Sequence, residues 1–194
     1  MGPQPARASR NIVWRVALIE LKCAIATSGL LLRHRLLVPS TWVGTIVRFG
    51  DGSASRIFRE TVLRGVPGEP GVVIAVKFRL KGIGTSRIWH ALFRLESLLN
   101  TLLFAAHSGF RTKLWLTDLD SGYYRGVYEW QDAASAVDYL ETLRVVLRPW
   151  VEKGSFACQV LETSREDYLS GLSRTTHDAP SSALWWLPVI ERAA

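Results

Sequence analysis

The sequence predicts an α+β protein with a ferredoxin-like β-α-β-β-α-β domain, which follows an N-terminal helix and a β-hairpin. Four runs with strand-type alternation follow Gly71, and two apolar stripes with helical spacing lie between them. The stretch 64–71, with two prolines and three glycines, separates these runs from the preceding part. We therefore divide the chain into an N-terminal part, 1–71, a ferredoxin-like domain, 72–162, and a C-terminal tail, 163–194.

The composition narrows the class of protein. Of 194 residues, 48% are hydrophobic, so a folded core is expected. The two cysteines are too few for a disulfide framework or a four-cysteine zinc site. We expect a cytoplasmic protein with no cofactor and no bound metal.

The N-terminal part predicts a polar tail over 1–11, a basic amphipathic helix over about 12–37 and a hairpin over about 43–63 around Gly50-Asp51-Gly52. The longest uncharged run of the helix, Cys23–Leu32, is about half the length needed to span a bilayer. The helix either packs on the domain or a second subunit, or lies on a membrane surface. Most of the net charge of +7 belongs to this part. The charges of the domain are nearly balanced, which does not indicate a nucleic-acid enzyme.

The domain begins with a strand over 72–80, and a long apolar helix over about 86–106 follows it. Strands over 111–118 and 123–130 are joined by a turn that ends in Gly122. Asp132 is predicted to cap a helix over about 133–150, whose apolar stripe ends in Trp150. The final strand is SFACQVLET, 155–163.

Each predicted strand has an apolar side and a polar side. The side predicted to face the helices carries Ile74, Val76, Phe78, Leu114, Leu116, Tyr124, Tyr128 and Trp130. The opposite side carries Lys77, Arg79, Arg111, Lys113, Trp115, Arg125 and Glu129. A sheet face with charged stems and one tryptophan suits burial against a symmetric partner, so we expect a homodimer.

The C-terminal tail is polar up to Ser182 and then apolar, with the segment WWLPVI over 185–190. This segment is too apolar for a free tail. We expect it to dock across a subunit or onto the N-terminal part, with interfacial membrane contact as the alternative.

Three aromatic residues with polar tips, Tyr124, Tyr128 and Trp130, indicate a pocket for a hydrophobic, ring-containing molecule, with His90 beside it. Glu96, Asn100 and His107 are the candidate catalytic groups, since Glu96 and Asn100 share a helix face and His107 returns to nearly the same face. The alternative is an ordinary aromatic core whose polar groups satisfy caps and local carbonyls. No metal-binding or phosphate-loop motif occurs, and no nucleophile elbow is present.

The segment 113–147 resembles the dimeric α/β-barrel superfamily, which includes the antibiotic biosynthesis mono-oxygenases, and in particular its YdhR-like mono-oxygenases. The matching positions are Lys113, Trp115, Gly122, Gly126, Tyr128, Trp130, Ala134, Ser135, Ala136 and Tyr139. The resemblance covers about 72–162 and implies a ferredoxin-like fold that pairs sheet to sheet as a dimer. It also implies cofactor-independent oxygenation, or another transformation, of an aromatic or polyketide-like substrate.

Two functions follow as hypotheses. The first is a cofactor-independent mono-oxygenase or cyclase that binds a hydrophobic small molecule and uses Glu96 or His107 to remove a proton. The second is a binding or assembly module that engages a membrane surface or a protein partner through the N-terminal helix and the C-terminal tail. We expect no nucleic-acid partner, because Val127 stands where an RNA-recognition domain requires an aromatic residue.

Overall fold

The computed structural model describes residues 35–69, 71–81, 101, 104–105, 107–118, 120–171, 180 and 183–189. The described part contains eight strands and two helices of five or more residues. The strands are β1 (Leu36–Leu37), β2 (Ile46–Phe49), β3 (Ala54–Leu63), β4 (Val72–Arg79), β5 (Phe110–Asp118), β6 (Tyr123–Trp130), β7 (Ala157–Leu161) and β8 (Pro188–Val189). The helices are α1 (Ala133–Leu147) and α2 (Arg165–Leu169).

Four of the strands form one side of an antiparallel sheet, in the order β7-β4-β6-β5. The last strand of the β-α-β-β-α-β unit thus lies beside the first, and the two middle strands form a hairpin. This is the strand order of the ferredoxin-like fold, so the predicted fold class is confirmed. The predicted helix over 86–106 lies mostly outside the described residues, of which Thr101, Phe104 and Ala105 are helical.

The sheet continues beyond β5 through β3, β2 and β8, and β1 pairs with β3. The predicted hairpin is present as β2 and β3, with Gly52 in its turn at φ 81°, a conformation that favours glycine. It extends the sheet of the ferredoxin-like unit. Leu36 and Leu37 are paired with β3, where the sequence predicted the end of a helix, and 1–34 lie outside the described residues.

A bulge in β5 changes which side chains face the helices. Phe110 pairs with Trp130, but Lys113 pairs with Tyr128, so the register between β5 and β6 shifts by one residue. An extra residue in one strand turns every later side chain to the other face. The prediction that Leu114 and Leu116 face the helices is therefore wrong, as is the prediction that Lys113 and Trp115 lie on the opposite face.

One face of the sheet packs against α1 and the helical residues Phe104 and Ala105. The shared core includes Ile74, Val76, Phe78, Trp115, Tyr124, Tyr128, Trp130, Tyr139, Leu140 and Leu143. Asp132 caps α1 by accepting a hydrogen bond from the Ser135 amide at 2.8 Å. The helix ends before Pro149, so Trp150 does not extend its apolar stripe as predicted and is 57% exposed.

The opposite face of the sheet holds a second core, to which the C-terminal part of the same chain contributes. Val73, Ala75, Leu114 and Val127 pack with Tyr168 of α2 and with Trp186. The tail also adds β8 to β2, so its expected docking onto the N-terminal part is observed. The centre of the face predicted to meet a twin copy is thus covered by the chain itself, and the homodimer stays a prediction.

Charged side chains on this face are neutralised inside the chain. Arg125 forms a buried ion pair with Asp118, with Nε 2.7 Å from Oδ1, and donates to the carbonyl oxygen of Trp185. Lys77 lies 3.1 Å from Asp51 in the hairpin turn. These contacts bind the hairpin and the C-terminal segment to the central strands. Within the described ranges, no helix is long and apolar enough to cross a membrane.

Candidate functional site

A cluster of aromatic side chains lies between the sheet and α1, at the end of β6. Tyr128 and Trp130 alternate on the helix-facing side of that strand, and Tyr139 lies on the buried side of α1. The Tyr139 ring centroid is 4.9 Å from that of Trp130 and 5.1 Å from that of Tyr128. The two elements thus bring three polar aromatic tips into an otherwise apolar core.

Not all of these tips are satisfied. The indole Nε1 of Trp130 is buried and has no hydrogen-bond partner among the described residues. The hydroxyl groups of Tyr128 and Tyr139 approach each other without completing a hydrogen bond of good geometry. Burial raises the pKa of both phenols, and the neighbouring Tyr128 raises that of Tyr139 further. Both are neutral at physiological pH and remain able to donate a hydrogen bond.

His107 stands at the edge of this cluster. Its ring centroid is 5.6 Å from that of Tyr139 and 6.5 Å from that of Trp130, edge to face in both cases. Its Nδ1 lies 3.4 Å from Oδ2 of Asp138, on the first turns of α1. A carboxylate on Nδ1 orients an imidazole and leaves Nε2 as the nitrogen available to a ligand, an arrangement that suits proton transfer.

His107 also lines a cleft of about 480 Å³, within the size range of small-molecule sites. The cleft is open at the end of the sheet, between the connection 64–71 and the start of β5. Leu63, Val66, Pro67 and Phe110 form apolar walls, and Arg35, Ser108 and Gln131 add polar groups. Polar and apolar groups thus share the lining of the cleft almost equally, and the histidine is one of the polar groups.

A second group of polar side chains lies deeper, on β5 and β3. Nζ of Lys113 is 2.9 Å from the ring centroid of Trp115, 4.4 Å from that of Tyr128 and 4.5 Å from that of Phe104. The Arg59 guanidinium lies 4.1 Å from the Trp115 ring and donates to Thr101 Oγ1 at 2.9 Å. Two buried cations thus share one indole ring.

Burial governs the ionisation of these two cations. Cation–π contacts stabilise an ammonium by about 0.5–2 kcal/mol, less than the several kcal/mol that burial of a charge costs. Burial, and then the charge of Arg59, hold the pKa of Lys113 well below its usual value. Burial also lowers the pKa of Arg59, to about 10, so Arg59 stays charged at neutral pH.

Next to Lys113, the sheet and α1 enclose a void of about 10 Å³, room for one water molecule. Phe78, Tyr124, Tyr128, Leu143 and Leu147 are among the residues that line it. Gly126 allows the Tyr128 ring to lie flat here, because a Cβ on Gly126 would come within 2.5 Å of Tyr128 Cε2. The described part of the helix–sheet interface is therefore closely packed beside Lys113. Open space lies at its two ends, at His107 and in a second cleft of about 430 Å³ between Arg144 and Phe156.

The predicted site residues divide into three groups. His107, Trp130 and Tyr128 are brought together around Tyr139, and Tyr128 also lines the void. Tyr124 stacks on Phe78, at 6.2 Å between ring centroids, and lines the void at the other end of the strand. His90, Glu96 and Asn100 lie outside the described residues, and their roles stay predictions.

Four residues of the site were not predicted as site residues from the sequence: Arg59, Lys113, Asp138 and Tyr139. Lys113 and Tyr139 belong to the motif that carries the family resemblance, which was the available signal. Asp138 and Arg59 gain their positions only through tertiary packing. No cluster of metal-ligating side chains occurs within the described ranges.

No known family profile matches the chain, and no curated protein matches it. Solved structures similar to it include an uncharacterized ferredoxin-fold protein related to antibiotic biosynthesis monooxygenases, from Listeria monocytogenes. That protein is 13% identical, the match covers 56% of this chain and 63% of that one, and the TM-score is 0.40. This chain thus spans somewhat less than two thirds of its length.

Two further structures are enzymes by their descriptions. SnoaB, a cofactor-independent oxygenase from Streptomyces nogalater, is 15% identical, with 57% of this chain and all of that one covered and a TM-score of 0.37. The heme-degrading enzyme LmHde from Listeria monocytogenes is 11% identical, with 64% and 96% covered and a TM-score of 0.39. The fold assignment of this chain depends on its own strand order.

Proposed function

We propose that this chain is a cofactor-independent mono-oxygenase or cyclase that acts on a hydrophobic aromatic or polyketide-like small molecule. The observation that carries the proposal is the His107–Asp138 pair, 3.4 Å apart, on the wall of a cleft of about 480 Å³. The pair supplies an oriented proton acceptor where an apolar molecule can bind.

The chemistry needs one proton acceptor and a dry aromatic surface. When Nε2 of His107 takes a proton from an activated CH₂ group beside a phenol ring, the resulting carbanion is electron-rich. In oxygenation it reduces O₂ and forms a hydroperoxide, which loses water and leaves a ketone. In cyclisation the same carbanion attacks a carbonyl group of its own molecule. Trp130 and Tyr139 pack behind the histidine, and their buried N–H and O–H groups, which have no partner among the described residues, are hydrogen-bond donors for an oxygen atom that comes within reach.

Oxygen uptake by the purified chain with an anthrone-type phenol tests this function. We expect uptake without added metal or flavin, with one ketone formed per O₂ consumed. His107→Gln should lower the rate by about 10²–10⁴-fold, the usual contribution of a general base. Arg148→Gln, an exposed change on the far end of α1, serves as the matched control. Equal rates for His107→Gln and the unchanged chain would contradict the proposal, and turnover without O₂ consumption would identify the cyclase.

The alternative function, engagement of a membrane surface or a partner, depends on the N-terminal helix and the C-terminal tail. Trp186 is buried and β8 is paired with β2, so the described end of the tail is docked on the chain, with Val189 exposed. The helix is the part that a vesicle test should address. We expect Arg15→Glu with Lys22→Glu to weaken co-sedimentation with anionic vesicles if the helix binds them, and to leave oxygen uptake unchanged.

A further inference from the structure

We propose that Lys113 is a nucleophilic amine that forms an imine with a small, uncharged carbonyl compound, because its side chain is enclosed by three aromatic rings beside a second cation and a water-sized void. This reaction is separate from the proton transfer proposed at His107 and does not depend on it. It assigns a covalent role to a residue on β5 that the oxygenation mechanism leaves unused.

The placement of Lys113 is unusual for a lysine. The residue is 3% exposed, on a strand in the middle of an eight-stranded sheet. Lysines are almost never fully buried unless they are paired. Around Nζ, the described residues present the ring faces of Trp115, Tyr128 and Phe104.

This environment favours the neutral amine, which is the nucleophilic form. A lysine becomes reactive when it is desolvated in an apolar pocket or placed next to another cation, and both conditions hold here. Burial and the Arg59 charge act in the same direction on the Lys113 pKa, and Arg59 itself keeps its charge. An ordinary surface lysine, by contrast, is almost entirely protonated at neutral pH.

The covalent step balances without a further reagent. The Nζ lone pair attacks the carbonyl carbon, and the π electrons of the C=O bond move to oxygen. Transfer of a proton from nitrogen to that oxygen gives a carbinolamine. The hydroxyl group then leaves as water with a second proton from nitrogen, and a C=N bond forms. Addition of water reverses the sequence, so the adduct exchanges until a reductant traps it.

The size of the void limits the carbonyl compound. About 10 Å³ holds one water molecule, so even the smallest aliphatic aldehydes enter only when the side chains around Lys113 move, and larger ones need larger movements. The lining is mostly aromatic and aliphatic, with Leu143 and Leu147 opposite the strand residues Phe78 and Tyr128. An uncharged aldehyde is therefore preferred over one with a carboxylate or phosphate group.

Competitive reductive alkylation tests the proposal. The folded full chain is treated with limiting acetaldehyde and cyanoborohydride at pH about 6, where ordinary lysines are almost fully protonated. Peptide mapping by mass spectrometry then compares ethylation of Lys113 with that of the exposed Lys81 and Lys153. We expect Lys113 to be modified at least about tenfold faster, since each unit by which a pKa falls raises the neutral fraction about tenfold. Modification in order of exposure, with Lys113 unmodified, would overturn the proposal.

Two variants separate reactivity from packing. Arg59→Met removes the second cation, so ethylation of Lys113 should slow at pH about 6 and recover at higher pH. Lys113→Met should fold with a similar circular dichroism spectrum and lose the fast-reacting site, while Lys81 and Lys153 react as before. A rate at Lys113 that does not change in Arg59→Met, over the whole pH range, would refute the role of the paired cations.

Discussion

The missing Cβ of Gly126 determines how the side chains at the centre of the sheet pack. Gly126 has no Cβ, and the Tyr128 ring occupies the space that a Cβ would need. Trp115 lies opposite Gly126 on β5 and carries both Lys113 and Arg59 on its ring. The absence of a Cβ on Gly126 therefore leaves room for the tyrosine ring that lines the void.

Gly126→Ala is expected to destabilise the fold by about 1–3 kcal/mol, because the new Cβ overlaps Tyr128 Cε2 and the ring must turn away. Urea unfolding measures the change. In a Tyr128→Ala background the same substitution should cost much less, since the overlapping ring is gone. Equal costs in the two backgrounds would show that the contact is not the cause.

At the scale of elements, polar side chains attach the added strands to the ferredoxin-like unit. Asp51, in the hairpin turn, accepts from Lys77 of β4 at 3.1 Å and lies 3.7 Å from Arg125 of β6. On the same face, Arg165 of α2 binds Glu60 of β3 at 2.8 Å, and its amide donates to Glu129 of β6. Each added element thus has an ionic contact with a strand it does not follow in the chain.

The carboxyl group of Asp51 should make the contribution of the hairpin contact to stability depend on pH. Partial burial raises the pKa of its carboxyl group, but bonds from Ser53 and Lys77 outweigh this, so the pKa lies below its usual 3.8. A lowered pKa in the folded state stabilises the fold above the unfolded value, and the gain is lost as the pH falls through the folded value. The stability difference between the unchanged chain and Asp51→Asn should therefore shrink below pH about 4. Urea unfolding between pH about 3 and 6 measures it, and a constant difference would contradict the expectation.

A hydrogen bond from Tyr168 attaches α2 to the C-terminal segment. Its hydroxyl donates to the carbonyl oxygen of Trp186, and its ring is fully buried. Tyr168→Phe leaves that carbonyl unsatisfied at a cost of about 1–3 kcal/mol. Hydrogen exchange should accelerate at the Gly50 amide, which donates to Leu187, and remain slow in β4 and β6. Acceleration throughout the sheet would indicate global rather than local loss of stability.

Which features the sequence predicts depends on whether they are local. Alternation located β4, β5 and β6 within one or two residues, because each strand carries its own pattern. The bulge after Phe110 depends on pairing with β6, so no pattern within β5 could reveal that Lys113 and Trp115 face the helices. The five-residue α2 is too short for a helical stripe. Asp138 points to His107 only because α1 crosses the end of β6.

The described residues form one sheet that carries a core on each face. The ferredoxin-like strands supply one half, and the hairpin with β8 supplies the other, so both ends of the described chain meet at one edge. At the other edge, the described residues leave the outer side of β7 unpaired. An unpaired edge strand is a ready template for another chain.

The predicted homodimer is therefore expected to use the outer edge of β7 rather than the covered face. Sedimentation equilibrium should give twice the 21.7 kDa of one chain. Gln159→Lys places a charge on this edge and should shift the mass toward one chain. Val189→Lys on β8, an exposed position, is the control at the opposite edge. A chain that stays monomeric at all concentrations would contradict the predicted homodimer.

The pairing of β2 with β8 has a consequence for synthesis on the ribosome. β2 emerges early, but its partner at Pro188–Val189 is translated more than a hundred residues later. Until then the nascent hairpin exposes an edge and the ring of Phe49, which β8 and Trp186 later cover. We expect the nascent chain to be a chaperone client during elongation, and slow translation of the last segment to increase its aggregation.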